Sequence, residues 1–198
     1  MMKKDIMICG VGGQGTVLAS KIIAASAMDE GWSVHSAETI GMAQRGGPVT
    51  SHVRIGDDVF SPLISVSGAD LLIAFEPSEA VRNLRYLKKD GFVIVNSIPV
   101  KPTSLSGGAD YDGNAEIAFL RSRCRCLVVN SEELCRPFGS SKFFNVAVLG
   151  AAVGTGELGL SEETVRNEII KTVPERFLEK NLAAFSAGYE IGEEKQCR

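Results

Sequence analysis

The sequence predicts an α/β fold: a Rossmann-like, mostly parallel sheet with flanking helices, a β-hairpin insertion and a helical C-terminal part. Two observations predict it. Short apolar runs alternate with helical patterns, as a parallel sheet with crossover helices requires. A glycine cluster follows the first apolar run, where such folds make their first tight turn. The 198 residues, of which 44% are hydrophobic, suit a single domain over residues 1–198 with a sizeable core.

The first elements are predicted from the spacing of apolar side chains. An apolar run predicts a strand over residues 5–9. Apolar residues at every third or fourth position predict a helix over residues 16–30, which ends before Gly31. Residues 32–37 are expected to form the second strand, so the chain begins with a strand-turn-helix-strand unit.

The hairpin insertion is predicted between residues 49 and 60. A strand over residues 49–55 meets the Gly56-Asp57-Asp58 turn, and residues 59–60 are expected to form a short return strand. Such a hairpin departs from a plain doubly wound order.

The middle of the chain continues the alternation of strands and helices. Residues 70–75 and 92–96 have the continuous apolar character of strands buried on both faces. A helix over residues 76–87, with Pro77 near its start, lies between them. The segments that follow are a loop rich in Pro, Ser and Gly over residues 98–113, a helix over 114–121, a strand over 126–130 and a short helix that Ser131 caps.

The last third of the chain is predicted to be helical over residues 140–190. Residues 142–153 are almost entirely apolar, and Ser161 caps the next helix. Pro174 separates that helix from a last one ending near Tyr189.

Composition excludes several functional classes. The formal charge of −3 comes from 21 basic and 24 acidic residues that are well mixed, so no basic stripe points to nucleic acid. No run of about 18 apolar residues is long enough to span a bilayer, and the first residues lack the apolar core of a signal peptide. We therefore expect a soluble, cytoplasmic protein with neither a nucleic-acid nor a membrane partner.

The cysteines argue against a disulfide framework and against a metal centre within this chain. Five of them are scattered along the sequence, and Cys124 and Cys126 form the only close pair. An iron–sulfur cluster needs several clustered thiolates. No metal ligands are therefore assigned.

The glycine cluster is the first candidate binding site. Gly10, Gly12 and Gly15 have the G-x-G-x-x-G spacing, with Gly13 and Gln14 between them. Such a turn lets the backbone approach a phosphate, which the N–H groups at the start of the next helix then face. The alternative is that the glycines only bring strand and helix close together.

A second polar loop follows the second strand. Gln44, Arg45, Gly46 and Gly47 combine an amide, a guanidinium group and two glycine amides, which suit a phosphate or carboxylate. The alternative is a surface loop with one solvated arginine. Ser51 and His52 follow this loop and join the candidate binding residues, although a strand histidine is more often structural.

Glu38 keeps a dinucleotide hypothesis open. It lies where the acid that binds a ribose hydroxyl is expected, a little over twenty residues beyond the glycines. The same carboxylate could instead anchor Arg45 or Gln44. Familiar catalytic motifs such as G-x-S-x-G and H-E-x-x-H are missing, so no catalytic residue is assigned and the chain is expected to be inactive alone.

Five motifs together resemble a known family. Residues 10–20, 41–54, 70–77, 141–145 and 181–189 resemble the gamma subunit or domain of the 2-oxoacid:ferredoxin oxidoreductases. Within that family the chain most resembles the beta subunit of the indolepyruvate:ferredoxin oxidoreductases. The motifs are spread over essentially the whole chain, and together they are far more specific than the glycine turn alone.

The resemblance implies a subunit of an enzyme acting on the oxo group of 2-oxo acids, with thiamine diphosphate and iron–sulfur clusters on partner subunits. Electrons would pass to ferredoxin and the acyl group to coenzyme A, which the two glycine loops would contact. An aryl pyruvate is the implied substrate, with pyruvate, branched-chain oxo acids and 2-oxoglutarate as alternatives. Two other functions stay open: a stand-alone NAD- or FAD-binding oxidoreductase, and a non-catalytic assembly subunit.

Overall fold

The computed structural model describes residues 3–40, 46–100 and 111–196, which form a six-stranded sheet with helices on both faces. The strands are β1 (Lys4–Val11), β2 (Val34–Ile40), β3 (Pro48–Ile55), β4 (Ala69–Ala74), β5 (Leu87–Asn96) and β6 (Arg125–Val129). The helices of these ranges are α1 (Thr16–Asp29), α2 (Pro77–Asn83), α3 (Asn114–Arg123), α4 (Ser131–Cys135), α5 (Phe144–Gly154), α6 (Glu162–Thr172) and α7 (Glu175–Gln196). None of the helices in these ranges has the length and apolar character needed to cross a membrane.

The sheet has the strand order β2-β3-β1-β4-β5-β6. Strands β1, β4, β5 and β6 are parallel, whereas β3 runs antiparallel to both of its neighbours. One core lies between the sheet and α1, α5, α6 and α7, and a second lies under α2 and α3. The carboxyl ends of the parallel strands therefore meet at one edge, as the predicted fold class requires, and that class is confirmed.

The hairpin lies at a different place from the one the sequence predicts. Strand β3 pairs with β2 from Val34↔Ile55 to Ile40↔Val49, so β2 and β3 form the antiparallel pair. The predicted return strand at residues 59–60 is wrong, since these residues lie outside the strands. The physical reason is that β3 already has β1 on its other side, which leaves residues 59–60 no free strand edge to pair with.

Four smaller predictions also need correction. Strand β5 begins at Leu87 rather than at residue 92, and α2 is correspondingly short, ending at Asn83 before a 3₁₀ turn. Asn130, not Ser131, caps α4, because its Oδ1 accepts hydrogen bonds from the backbone N–H groups of Glu132 and Glu133. Helix α7 continues to Gln196, well beyond Tyr189.

Helices α5 and α7 pack backbone against backbone. A Cβ atom on Gly188 would lie 1.9 Å from the carbonyl oxygen of Ala147, and one on Gly150 would lie 2.0 Å from that of Phe185. Only glycine permits so close an approach. This contact fixes α5, whose amino end borders the candidate site.

Candidate functional site

The two glycine loops of the sequence lie side by side. The amide of Gly12 donates to the carbonyl of Gly47 at 2.9 Å, and the amide of Gly46 donates to the carbonyl of Gly12 at 3.3 Å. Because Val11 is the register partner of Pro48, the glycine turn and the start of β3 form one surface at the carboxyl edge of the sheet. Gln44 and Arg45 lie outside the described residues.

Gln14 braces the turn from within. Its Oε1 accepts a hydrogen bond from the Val11 amide at 2.7 Å, and its Nε2 donates to the Phe75 carbonyl at 2.9 Å. A Cβ on Gly10 would lie 2.8 Å from both the Gln14 Oε1 and the Phe75 Cβ. Gly10 and Gln14 thus hold the ends of β1 and β4 together, which explains a glycine and a glutamine at these positions.

Gly13 and Gly15 shape the open side of the turn. Gly13 is exposed, with a φ of +103°, and a Cβ there would meet nothing within 4 Å. Gly15 has a φ of +85° and is the N-cap of α1, whose first turn carries no side-chain cap and no acidic residue. The uncapped N–H groups at this helix end favour an anion.

A cleft of about 420 Å³ lies in front of this turn. Gly13, Gln14 and Gly15 line one side of it, and Lys142 and Asn145 approach from the start of α5. Lys142 forms no ion pair with any of the described residues. The cleft therefore combines a helix amino terminus and an ammonium group, which suit a phosphate or carboxylate, with one carboxylate, that of Glu132, elsewhere on its lining.

The floor of the cleft is rigid because of Asn96 at the end of β5. This buried side chain donates from Nδ2 to the Phe75 carbonyl at 3.1 Å. Its Oδ1 accepts from the amides of Ser131 at 3.1 Å and Ile98 at 3.2 Å. One amide side chain thus joins the segments that follow β4, β5 and β6.

A second cleft, of about 630 Å³, shares Lys142 and Asn145 with the first. The described residues that line it include no carboxylate. Besides Lys142, its apolar and cationic lining residues include Leu18, Phe138, Phe143, Val173, Phe177, Arg176 and Lys180. The two clefts together can hold an elongated ligand that carries both negative charge and apolar groups.

Lys142 and Asn145 are site residues that were not predicted from the sequence, although both lie in a motif that carried the family resemblance. Their signal was a polar pair at the start of an otherwise apolar helix. Only the packing of α5 beside α1 shows that this pair faces the glycine turn.

Ser51 and His52 do not line either cleft. His52 is 6% exposed, and its Nδ1 accepts a hydrogen bond from the Ile64 amide at 3.1 Å. Burial, and secondarily the charge of Arg54, lower the pKa of His52, so the ring is held neutral. The buried Ser51 hydroxyl has no hydrogen-bond partner among the described residues. These contacts hold His52 within the chain, and its role as a binding residue stays a prediction.

Glu38 accepts a hydrogen bond from the Ser20 hydroxyl at 3.0 Å. Strand β3 separates β2 from β1, so Glu38 lies two strand spacings, about 10 Å, from the glycine-turn strand. In a dinucleotide site the acidic residue follows a strand directly beside the first. The sheet order therefore disfavours the ribose-binding role that the sequence left open.

The two close cysteines lie away from the clefts at the β6 edge. Burial, and secondarily the neighbouring Cys126, raise the pKa of Cys124 to about 11. Burial also raises the pKa of Cys126. Among the described residues there is no group of three or more side chains arranged to bind a metal ion.

The fold and the clefts define a Rossmann-like α/β protein whose glycine turn and neighbouring cations are suited to an anionic ligand. The chain belongs to the pyruvate ferredoxin/flavodoxin oxidoreductase family, whose model matches residues 5–191. Membership confirms the resemblance that the sequence motifs indicated.

Individual proteins agree with the family assignment. The chain is 41% identical to the indolepyruvate oxidoreductase subunit IorB of Archaeoglobus fulgidus, over 95% of this chain and 94% of that protein. The gamma subunit of a keto/oxoacid ferredoxin oxidoreductase from Geobacter sulfurreducens has a TM-score of 0.72 and 25% identity, over 96% of this chain and 99% of that one. A 2-oxoglutarate:ferredoxin oxidoreductase from Magnetococcus marinus, with coenzyme A bound, shares the fold with a TM-score of 0.75 and 18% identity, over 98% of this chain and 32% of that one.

Proposed function

We propose that this chain is a subunit of an oxidoreductase that decarboxylates a 2-oxo acid, passing electrons to ferredoxin and the acyl group to coenzyme A. Its similarity to an indolepyruvate oxidoreductase subunit supports an aryl pyruvate such as indolepyruvate as the substrate. Thiamine diphosphate and the iron–sulfur clusters belong to partner subunits in this proposal. When bound there, they supply the carbanion and electron-transfer chemistry.

The observation that carries the proposal is the sharing of Lys142 and Asn145 by two clefts of different character. Coenzyme A has a diphosphate and a further phosphate joined to apolar and aromatic parts. The α1 amino terminus and Lys142 suit its phosphates. Phe138, Phe143 and Phe177 suit the pantetheine and adenine parts. This chain then binds and orients coenzyme A, whose thiol reaches the partner's active site.

The subunit assignment is tested by an anaerobic affinity purification of the tagged chain from its own cells. The eluate is assayed for thiamine, for iron and for viologen reduction that depends on indolepyruvate and coenzyme A. We expect a larger thiamine- and iron-containing partner with that activity. A lone, colourless chain would overturn the proposal, and titration with NAD and FAD would then test the dinucleotide function.

The contribution of the glycine loops is tested with Arg45→Ala in the intact complex. Loss of a charge-assisted contact worth about 1.5–3 kcal/mol corresponds to a rise of roughly 10- to 150-fold in the apparent KM for coenzyme A or the oxo acid. Lys89→Met removes an exposed cation on β5, outside the lining of both clefts, and is the matched control. Unchanged kinetics for Arg45→Ala in an intact complex would instead favour a non-catalytic assembly subunit.

A further inference from the structure

The connection between β3 and β4 exposes three large apolar side chains. Phe60 is 91% exposed, Leu63 56% and Val66 64%, and we call these three residues the Phe60 patch. A single exposed apolar residue is ordinary. Three of them within seven residues of one connection indicate a surface that another molecule covers.

Arg54 holds this connection in one conformation. Its Nη1 donates to the carbonyl oxygens of Ser61 at 3.0 Å and Leu63 at 3.2 Å. Its Nε and Nη2 donate to the two carboxylate oxygens of Asp5, which is 4% exposed. The backbone that carries the Phe60 patch is therefore anchored to a buried ion pair on the sheet.

A second set of contacts fixes the rest of the connection. The Ile64 amide donates to His52, and the Ser67 amide donates to the Arg85 carbonyl at 3.0 Å. Ser67 has a φ of +58°, a left-handed conformation that a non-glycine residue rarely adopts. An apolar patch on a fixed backbone loses little conformational entropy when a partner binds it.

A groove of about 590 Å³ adjoins the patch on the sheet side. It is lined by Leu63, by Tyr86 and by the β2 and β3 residues Thr39, Pro48 and Thr50. Helices α2 and α3 pack over β1, β4, β5 and β6, and make no substantial contact with β2 or β3. On this face the described helices leave the antiparallel strands β2 and β3 uncovered, and the groove is accessible to a partner there.

The charges of the groove select the kind of partner. Arg82 and Arg85 both line it, and Glu79, the one carboxylate among its described lining residues, is paired with Arg82 at 2.7 Å. The Arg85 guanidinium lies over the Tyr86 ring, 5.0 Å from its centroid. A partner that fits presents apolar side chains flanked by carboxylates.

A second copy of this chain is a poor match. Pairing the groove with itself would bring its arginines together. The exposed aromatic residues Phe119 and Phe177 elsewhere on the chain are themselves each covered by an arginine, Arg123 and Arg176. Asp57 and Asp58 are exposed beside Phe60, so only a second copy that set its own Phe60 patch into this groove would match the charges, and the crosslinking below separates that occupant from the partner subunit.

We propose that the Phe60 patch and the adjoining groove bind the partner subunit of the same enzyme, through an apolar segment flanked by Asp or Glu side chains. The inference rests on the proposed function, because it takes that partner to be the thiamine-containing subunit. Thr39 and Pro48, which line the groove, flank the glycine-rich loop of residues 40–47 in the sequence. A partner seated here would therefore lie beside the candidate coenzyme A site.

Photocrosslinking in the complex tests the surface directly. The chain is produced in its own cells with p-benzoylphenylalanine in place of Phe60, and in a second strain in place of Phe119. Phe119 is a matched control because it is also exposed and lies on α3, which packs on the opposite edge strand, β6. We expect position 60 to crosslink to an acidic, apolar segment of the thiamine-containing subunit, and position 119 to give no such product. Crosslinks from position 60 only to a second copy, or none, would overturn the inference.

Variants give an independent measure of the same surface. We expect Phe60→Ser combined with Leu63→Ser, and separately Arg85→Glu, to reduce the thiamine-containing subunit recovered per tagged chain at least tenfold. Phe119→Ser should leave recovery unchanged. Thermal melting of each isolated variant should stay close to that of the parent, because the replaced side chains are exposed.

The two proposals fail in different ways. If the unmodified chain recovers no thiamine-containing partner, the proposed function fails. If the unmodified chain and the Phe60 patch variants recover that partner equally, only the assignment of this surface fails.

Discussion

Asn145 packs directly over Gly15, so that a Cβ on Gly15 would lie 2.6 Å from the Asn145 Nδ2 and 3.1 Å from its Cβ. The amino ends of α1 and α5 therefore meet at the cleft, although they are far apart in the sequence. Any side chain at position 15 would have to displace Asn145. The contact links the glycine turn to the cleft wall that carries Lys142.

We expect Gly15→Ala to destabilise the chain more than Gly13→Ala. Both glycines have positive φ, so each substitution costs about 1–3 kcal/mol of backbone strain. Only Gly15→Ala also meets Asn145, whereas a Cβ on Gly13 meets nothing within 4 Å. Urea unfolding of the isolated chain measures both costs. Equal losses in the free energy of unfolding for the two variants would show that the Asn145 side chain moves away at little cost.

Lys142→Met should raise the KM for coenzyme A about tenfold or more in the intact complex, because it removes a charge-assisted contact. The KM of the parent enzyme should rise with ionic strength more steeply than that of the variant. Lys142→Arg keeps the charge and should preserve most of the affinity. A KM that stays the same in Lys142→Met would place the phosphates elsewhere.

The strands buried on both faces were predictable because their burial makes them continuous apolar runs. Residues 70–75 were expected to form a strand, and β4 spans Ala69–Ala74. The pairing of β3 was not predictable in this way. The residues of Pro48–Ile55 carry no local pattern that predicts insertion between β1 and β2. Its hydrogen-bond partners lie on strands elsewhere in the sequence.

The site was partly predictable for a similar reason. The glycine cluster of residues 10–15 predicts a tight turn from the sequence alone, and in the structure Gly13 and Gly15 have the positive φ angles that favour glycine. Lys142 and Asn145 become part of the site only when α5 packs beside α1. The backbone contact between Gly150 and Phe185 fixes α5 against α7. These two residues are far apart in the chain, so the spacing of apolar residues does not predict their contact.

The buried ion pair between Asp5 and Arg54 should be costly to break. Arg54→Met leaves the Asp5 carboxylate buried without its partner, and we expect a loss of about 3–5 kcal/mol in the free energy of unfolding. Arg54→Met combined with Asp5→Asn should recover part of this loss. Lys88→Met breaks a more exposed pair with Asp70 and should cost about 1 kcal/mol or less. If Arg54→Met and Lys88→Met lowered the free energy of unfolding by similar amounts, the buried pair would be no more important than the exposed one.

Gly188→Ala should destabilise the chain, although the same substitution in an unhindered helix stabilises by about 1 kcal/mol. A Cβ at position 188 would lie 1.9 Å from the Ala147 carbonyl oxygen. Forcing α5 and α7 apart should cost about 1–3 kcal/mol. Glu190→Ala, at an exposed position of α7, should change stability by about 0.5 kcal/mol at most. Thermal melting of the isolated chain distinguishes the two, and a stabilised Gly188→Ala would contradict the packing.

Because His52 is buried, we expect the free energy of unfolding to decrease as the pH is lowered below neutrality. Burial, and secondarily the charge of Arg54, lower the pKa of His52 from the usual 6.5. Near pH 6.5 the imidazole therefore binds a proton in the unfolded chain but not in the folded chain. The free energy of unfolding should therefore fall as the pH drops through 6.5, and the fall should end below the folded pKa. His52→Asn offers an amide oxygen to the Ile64 N–H and does not titrate. Urea unfolding of both proteins between pH 7.5 and 5 should show a steeper loss for the parent, and parallel curves would mean that His52 is protonated equally in both states.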